Sequence, residues 1–227
     1  MNPLIAKARS MLRKGGYDIV RHKELPEWLK LHEVDTILDI GANDGRYATE
    51  IRDAGWRGPI VSFEPQPVVF KRLEKRMKGD PEWRGFQIGL GNHDTMLTLN
   101  AYGLDVLSSF LKKKAADQEV RQIEVPVKRP EDLWINVLNG RTRPFVKIDT
   151  QGFEMEIISG FGSRIKEVVG WQIELSVEPL YDGQPMMEVV IAKMREAGFS
   201  LWRIVPGLRD PHTFQAFELD GIFFRRP

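Results

Sequence analysis

From residue 36 onward the chain alternates short apolar runs with stretches of helical spacing. Thr36–Ile40 (TILDI) and Pro59–Phe63 (PIVSF) are apolar runs ended by turn residues, and each predicts a buried strand. Between them, residues 44–55 place Tyr47, Ala48, Ile51 and Ala54 on one helical face, with Gly55 near the end. Val68–Lys78 predicts a second helix, stopped by Gly79 and Pro81. Phe86–Leu90 predicts a third strand, with Met96–Ala101 as an extra strand beside it. Residues 119–128 alternate polar and apolar, as a half-exposed strand does. Phe145–Asp149 and Val168–Leu175 predict two more buried strands around a helix near 153–160, and 186–197 predicts a helix closed by Gly198. Leu201–Val205 and Phe214–Phe224 flank Pro/Gly-rich sequence and predict an antiparallel hairpin. Strands alternating with helices imply an α/β fold, a mostly parallel sheet covered on both faces. Ligands in such sheets sit beyond the carboxyl ends of the strands. The chemistry is therefore expected just after residues 40, 63, 90, 149 and 175.

Ahead of this core, residues 2–14 place Leu4, Ile5, Ala8, Met11 and Leu12 at helical spacing, ended by Gly15-Gly16, and a second short helix is expected at 25–32. With no repeat or low-complexity linker in 227 residues, the expected organisation is an N-terminal helical cap over 1–34 and one domain over 35–227. The chain has no cysteine, which excludes disulfides, thiolate nucleophiles and sulfur-based metal sites. Its 33 Lys+Arg against 32 Asp+Glu give a net charge of +1, without the footprint of a dedicated nucleic-acid binder. No apolar run approaches membrane-spanning length and no signal peptide is visible, so a cytoplasmic location is expected. Residues 1–30 nevertheless hold seven Lys/Arg and three Asp/Glu, a local net of +4. Three readings of that segment stay open: a cap over the site, a dimer contact, and peripheral contact with an anionic membrane.

The sharpest motif is Asp39-Ile-Gly41-Ala-Asn43-Asp44-Gly45 at the end of the first buried strand. Gly41 is expected to let a ligand approach the backbone, and Gly45 to let the next helix start close to the strand. Nineteen residues after Gly45 the second strand ends in Glu64-Pro65, where an acid commonly accepts hydrogen bonds from ribose hydroxyls. A dinucleotide G-x-G-x-x-G starting at Gly41 would need glycine at 43 and 46, which are Asn43 and Arg46. Asp39 and Asp44 instead line the turn with negative charge. That suits the sulfonium and ammonium of S-adenosylmethionine better than a pyrophosphate.

DTILDIGANDGRYA, VSFEP, GLGN and VKIDTQGFEMEIISG stand in the order seen in FkbM-type S-adenosylmethionine-dependent methyltransferases, which the chain resembles over roughly residues 35–185. The resemblance implies a class I, Rossmann-like, doubly wound seven-stranded sheet with an antiparallel last strand, and O-methylation of sugars or other hydroxylated metabolites. It implies that Asp39 and Gly41 face the methionine part of the cofactor and that Asn43 and Gly45 complete the turn. Glu64 would hold the ribose, and Gly89-Leu90-Gly91-Asn92 would border the adenine. Two departures are Gln151, where the family often has Glu, and Pro130 in place of a leucine in RPEDL.

Methyl transfer to a hydroxyl needs the acceptor oxygen aligned with the methyl and usually deprotonated. Lys147 and Asp149 lie two apart and point the same way at a strand end. Asp149 is the first candidate for the base, with Lys147 and Glu174 beside it; a structural Lys147–Asp149 ion pair is the alternative. Glu154, Ser108, Ser109 and His212 are candidate acceptor contacts. Glu154 could equally serve its helix N-terminus, and the two serines could cap a Lys-rich helix after residue 109. A Mg²⁺ ion on Asp149, Glu174 and Glu178 is a further alternative, although no metal is required. The histidines lack metal-ligand spacing, and Trp28, Trp171 or Trp202 could stack on a sugar ring. The leading expectation is O-methylation of a saccharide, glycolipid or similar small metabolite. Methylation of nucleic acid or protein, and a non-catalytic cofactor-binding subunit, are the alternatives; no N/D/S-P-P-Y/F/W motif supports a nucleic-acid amine as acceptor.

Overall fold

The computed structural model describes residues 10–15, 24–102, 108–114 and 120–225. Residues 10–14 are helical, whereas 2–9 of the expected N-terminal helix lie outside the described residues. Ten strands follow: β1 Thr36–Ile40, β2 Ile60–Phe63, β3 Trp83–Phe86, β4 Gly89–Leu90, β5 Thr95–Ala101, β6 Arg121–Lys128, β7 Pro144–Ile148, β8 Gly170–Ser176, β9 Phe199–Pro206 and β10 Glu218–Arg225. Among the described residues six further α-helices accompany them: α1 Leu25–Leu31, α2 Arg46–Asp53, α3 Pro67–Met77, α4 Pro130–Leu138, α5 Glu154–Gly160 and α6 Met187–Glu196.

Seven strands form one sheet in the order β3-β2-β1-β7-β8-β10-β9. The first five run parallel, and β10 lies antiparallel to both β8 and β9. This is the architecture of class I methyltransferases. Strand order reverses at β1, which neighbours both β2 and β7, so the switch point lies over the β1–β7 carboxyl ends.

Strand periodicity splits the apolar runs between two cores. Leu38, Val61, Val146, Ile173 and Phe223 face one core with α4, α5 and α6. Ile37, Ile60, Phe145, Ile222 and Phe224 face the other with α1, α2 and α3. Burial on both faces is why β1, β2 and β7 read as mostly apolar runs rather than alternating ones. Leu29 of α1 is fully buried in the second core, so the 25–31 part of the expected cap belongs to this helical layer.

Several sequence expectations need correction. Phe86–Leu90 is not one strand: β3 ends at Phe86 in the large sheet, and Gly89–Leu90 turns away into a small sheet ordered β4-β6-β5. Met96–Ala101 pairs antiparallel with β6, not with the third strand. The last strand begins at Glu218, because 209–217 form a turn closed by an Arg209–Ala216 bridge. Helix α4 is absent from the periodicity reading. Its signals are Pro130 at the first turn, Glu131 and Asp132 beside it, and Trp134, Val137 and Leu138 buried on one side.

Candidate active site

The two cores differ at the carboxyl edge of the sheet. Above Ile37, Ile60 and Phe145, the next residues on that face are Asp39, Ser62 and Lys147, which are Cα partners across β2, β1 and β7. Lys147 is in turn opposite Gln172 on β8, and Glu174 is opposite Asp220 on β10. A polar row thus crosses five strands on one face. Asp39 is fully buried, with its Oδ2 accepting from Ser62 Oγ at 3.2 Å and its Oδ1 3.4 Å from Lys147 Nζ. Lys147 Nζ also lies 3.5 Å from Asp149 Oδ2 and donates to the Gly41 carbonyl at 3.2 Å. Burial alone would lower the Lys147 pKa, but Asp149 and Asp39 outweigh it and raise the value above that of free lysine. Burial raises the Asp39 pKa, and Lys147 and Ser62 oppose the rise. The ammonium therefore joins the end of β1, the glycine turn and Asp149.

The turn takes up positive φ at Gly41 (74°), Asn43 (47°) and Gly45 (87°). The space reserved at Gly41 is for the protein itself: a Cβ there would overlap the Asp149 carbonyl oxygen. At Gly45 a Cβ would come within 2.7 Å of Leu73 Cδ1 on α3, so that glycine serves helix–helix contact, not helix–strand contact. Asp44 is ion-paired with Arg76, so its charge is largely answered within the chain. Glu64 reaches back to the turn: Oε2 accepts from Asn43 N at 3.0 Å and Oε1 from Gln66 N at 2.8 Å. Each oxygen keeps a further lone pair for a ligand hydroxyl.

Burial pushes the Glu64 pKa up to about 7, despite the two amides that oppose it. A folded-state value above the unfolded one means that the native state holds the proton longer. Stability should then fall as pH rises from about 4.5 to about 7, by an amount on the order of 3 kcal/mol from this group. Urea midpoints at pH 5 and pH 8 test this. The loss between them should be smaller in Glu64→Gln, and an equal loss would assign it to other carboxylates.

Beyond β7 the chain enters a tight loop with Gln151 at φ 54° and Gly152 at φ 101°. Glu154, expected to touch acceptor, is only 2% exposed. Its Oε1 accepts from Thr150 N, Thr150 Oγ1 and Gly152 N, each at 3.1 Å, so this carboxylate shapes the loop. Gln151 is the hub of the acceptor side. Its Nε2 donates to Glu174 Oε1 and Oε2 at 2.8 and 2.9 Å and to Asp149 Oδ1 at 3.3 Å, while its Oε1 accepts from Tyr181 OH at 3.0 Å. A glutamate at 151 would place a carboxylate against Glu174, so the departure from the family pattern matches the local chemistry. Burial raises the Glu174 pKa, and Asp149 and Glu218 raise it further.

The remaining candidates are less uniform. Ser108 Oγ accepts from Gln66 Nε2 at 3.3 Å, beside Glu64. Ser109 is 1% exposed and its Oγ donates to the Gln151 carbonyl at 2.6 Å, which leaves it an anchor, not an acceptor contact. Among the described residues no Lys-rich helix follows: 109–114 is a non-helical segment bridged to Asn100 and Tyr181. Residues 105–107 lie outside the described residues. Gly89 and Leu90 are buried in β4, where a Cβ at 89 would come within 3.0 Å of Phe110 and 3.1 Å of Val127. Pro65 continues from Glu64 into α3. His212 sits exposed in the β9–β10 turn on the carboxyl edge, its N–H donating to Asp210 Oδ1 at 2.8 Å. Trp171 is fully buried in the first core and Trp28 packs against Phe224, so neither is free to stack on a sugar. Glu178 is exposed, and among the described residues no three His, Asp or Glu side chains are grouped to hold a metal.

Several residues of the site, Ser62 and Tyr181 among them, escaped the sequence reading. Tyr47, assigned to an apolar helix face, turns its ring to Lys147 Nζ at 5.4 Å. Gln172, Glu218 and Asp220 sit in strands read for their apolar residues. A polar residue recurring on one face of a buried strand was the available signal. Cavities of about 440 and 680 Å³ open at the opposite edge, both lined by Pro59, Glu82 and Arg141. We place the site at the carboxyl edge because the buried polar row, the glycine turn and Glu64 all converge there.

Comparison with known proteins agrees with this architecture. Residues 39–201 match the model of the Methyltransferase FkbM domain. This chain belongs to the FkbM methyltransferase family. The matched stretch begins at Asp39, so it includes the glycine turn, Glu64, the Asp149 loop and Glu174. Methyltransferase 1 of Beauveria bassiana is 28% identical over 142 residues, covering 55% of this chain and 57% of that protein. The 2-O-methyltransferase NoeI of Sinorhizobium fredii is 23% identical over 193 residues, 79% of each. The crystal structure of Methyltransferase FkbM from Methylobacillus flagellatus aligns with a TM-score of 0.52 at 15% identity. It covers 85% of this chain and 44% of that one, and shows a shared fold. The chain thus spans little more than half of the Beauveria protein and less than half of the Methylobacillus one. Among the described residues no helix is long and apolar enough to cross a membrane.

Proposed function

We propose that this FkbM domain is an S-adenosylmethionine-dependent O-methyltransferase acting on a hydroxyl of a saccharide, glycolipid or similar small metabolite. The observation that carries the reading is Glu64, buried at the end of β2 and hydrogen-bonded to the glycine turn at Asn43. A carboxylate so fixed accepts from vicinal hydroxyls, and Asp39 Oδ1 keeps unused acceptor capacity nearby. Both groups fit S-adenosylmethionine, whose sulfonium supplies an activated methyl when bound. Asp149 takes the proton from the acceptor hydroxyl on its carboxylate, and its 42% side-chain exposure leaves that oxygen reachable. Lys147 positions Asp149, while Gln151 and Tyr181 hold Glu174 behind it. The name of the Sinorhizobium relative supports oxygen as the methylated atom.

Calorimetry should give micromolar affinity for S-adenosylmethionine and its demethylated product, roughly −7 to −8 kcal/mol. Mass spectrometry of purified protein with hydroxylated acceptors should then show a methyl gain. Asp149→Asn should cut turnover by about a hundredfold while leaving cofactor affinity within a factor of roughly three. No binding of either cofactor form at millimolar concentration would defeat the reading, and unchanged turnover in Asp149→Asn would remove that residue as base.

A further inference from the structure

We propose that the acceptor carries an ammonium group close to its reactive hydroxyl, held by Glu174, Glu218 and Asp220. This inference rests on the methyltransferase reading and concerns the half of the site that the cofactor does not reach. Strand β10 lies three places from β1, roughly 14 Å at the usual strand spacing, and thus on the acceptor side of Asp149.

Glu218 and Asp220 alternate onto the same face of β10, and Asp220 is directly opposite Glu174. With Asp149 this makes four carboxylates at one corner of the sheet. The cation beside them is Lys147, whose ammonium is shared between Asp39 and Asp149. Glu174 is met instead by the neutral Gln151 amide and by a hydrogen bond shared with Glu218, and Asp220 by the Gln172 side chain and, at longer range, the charge of Lys147. Among the described residues no ion pair reaches Glu174, Glu218 or Asp220. The corner therefore carries more carboxylates than the described residues answer with positive charge.

Two orphan groups add to the excess. Glu218 is 6% exposed and shares a hydrogen bond with Glu174, but its Oε1, shut off from solvent, meets no partner. The buried Tyr47 hydroxyl is likewise unpartnered, and it feels the charges of Asp39 and Asp220 from the other side. Buried polar atoms are seldom left this way unless something completes them. An ammonium supplies three donors and one positive charge, which fits Glu218 Oε1 and the Glu174–Asp220 pair together. A neutral polyol satisfies the orphan acceptor but leaves the charge uncompensated. The raised pKa values of Glu174, Glu218 (to about 7) and Asp220, set by burial and then by Asp149 or one another, are the same excess expressed in protons.

The test uses the full chain loaded with S-adenosylhomocysteine, so that acceptor binding is read without turnover. Ligand-observed NMR would measure D-glucosamine against D-glucose and N-acetyl-D-glucosamine, and ethanolamine against ethylene glycol. Each amine should bind about tenfold or more tightly than its neutral partners, and the preference should fall below about threefold in Glu218→Gln and in Asp220→Asn. If one variant fails to fold, the other still decides. Equal binding of amine and neutral partner overturns the proposal. So does undetectable amine binding at roughly 50 mM, or an undiminished preference in both variants. Binding of S-adenosylhomocysteine itself, recorded in the same samples, separates these outcomes from failure of the methyltransferase reading.

Discussion

Gly41→Ala should lose about 3 kcal/mol or more of stability and bind S-adenosylmethionine too weakly to measure. Two costs coincide at this position. The residue sits at φ 74°, where an L side chain is strained. Its new Cβ would also overlap the Asp149 carbonyl oxygen, a backbone atom with no rotamer to yield. Relief requires the turn to separate from the β7 end. That would stretch the Lys147 bond to the Gly41 carbonyl and the 3.1 Å bond from Asp149 N to the Ile40 carbonyl. The glycine turn and the candidate base would thus move together. Urea unfolding and calorimetry check the two parts separately. A variant with wild-type midpoint and wild-type affinity would mean that the β1 and β7 loops are not in the contact described.

Lys147→Met should have the other large effect, a loss of about 3–5 kcal/mol at pH 7. Asp39 is fully buried, and with the ammonium gone only the Ser62 hydroxyl faces it. The methionine fills similar volume, so the loss reports charge, not a cavity. Sign and pH dependence follow from the same contact. Without Lys147 the folded-state pKa of Asp39 rises further, so the native state of the variant binds its proton at higher pH than the unfolded chain does. The deficit should therefore narrow as pH falls from 8 to 5. Adding Asp39→Asn should recover part of the stability without restoring methyl transfer, because Asp149 would still lack its positioning partner. Equilibrium unfolding of the single and double variants at both pH values tests this. A single variant within about 1 kcal/mol of wild type would mean that Asp39 does not depend on this cation.

Much of the architecture was legible because it is local. Buried parallel strands read as apolar runs, helices as 3.6-residue spacing, and the closing hairpin as two runs around Pro and Gly. The turn motif and Glu64 were legible for the same reason: their chemistry lies in residue type and short spacing. Local signals also misled. Phe86–Leu90 reads as one mostly apolar run, yet the chain changes sheets within it, since only partner strands decide which edge a segment joins. Glu154 looked available for substrate because a sequence shows its charge but not the three donors folded around it.

By itself, then, the sequence determined the order and type of most elements, the place of the glycine turn and the family. The tertiary structure decided which polar residues meet. Asp39, Ser62, Lys147 and Gln172 are scattered over 134 positions of the chain, and only strand register sets them side by side on one face. Register, burial and the balance of charge in a closed space are sums over distant segments. A carboxylate's role depends on that sum: the same residue type holds the turn at Glu64, shapes a loop at Glu154, and keeps one buried oxygen without a partner at Glu218.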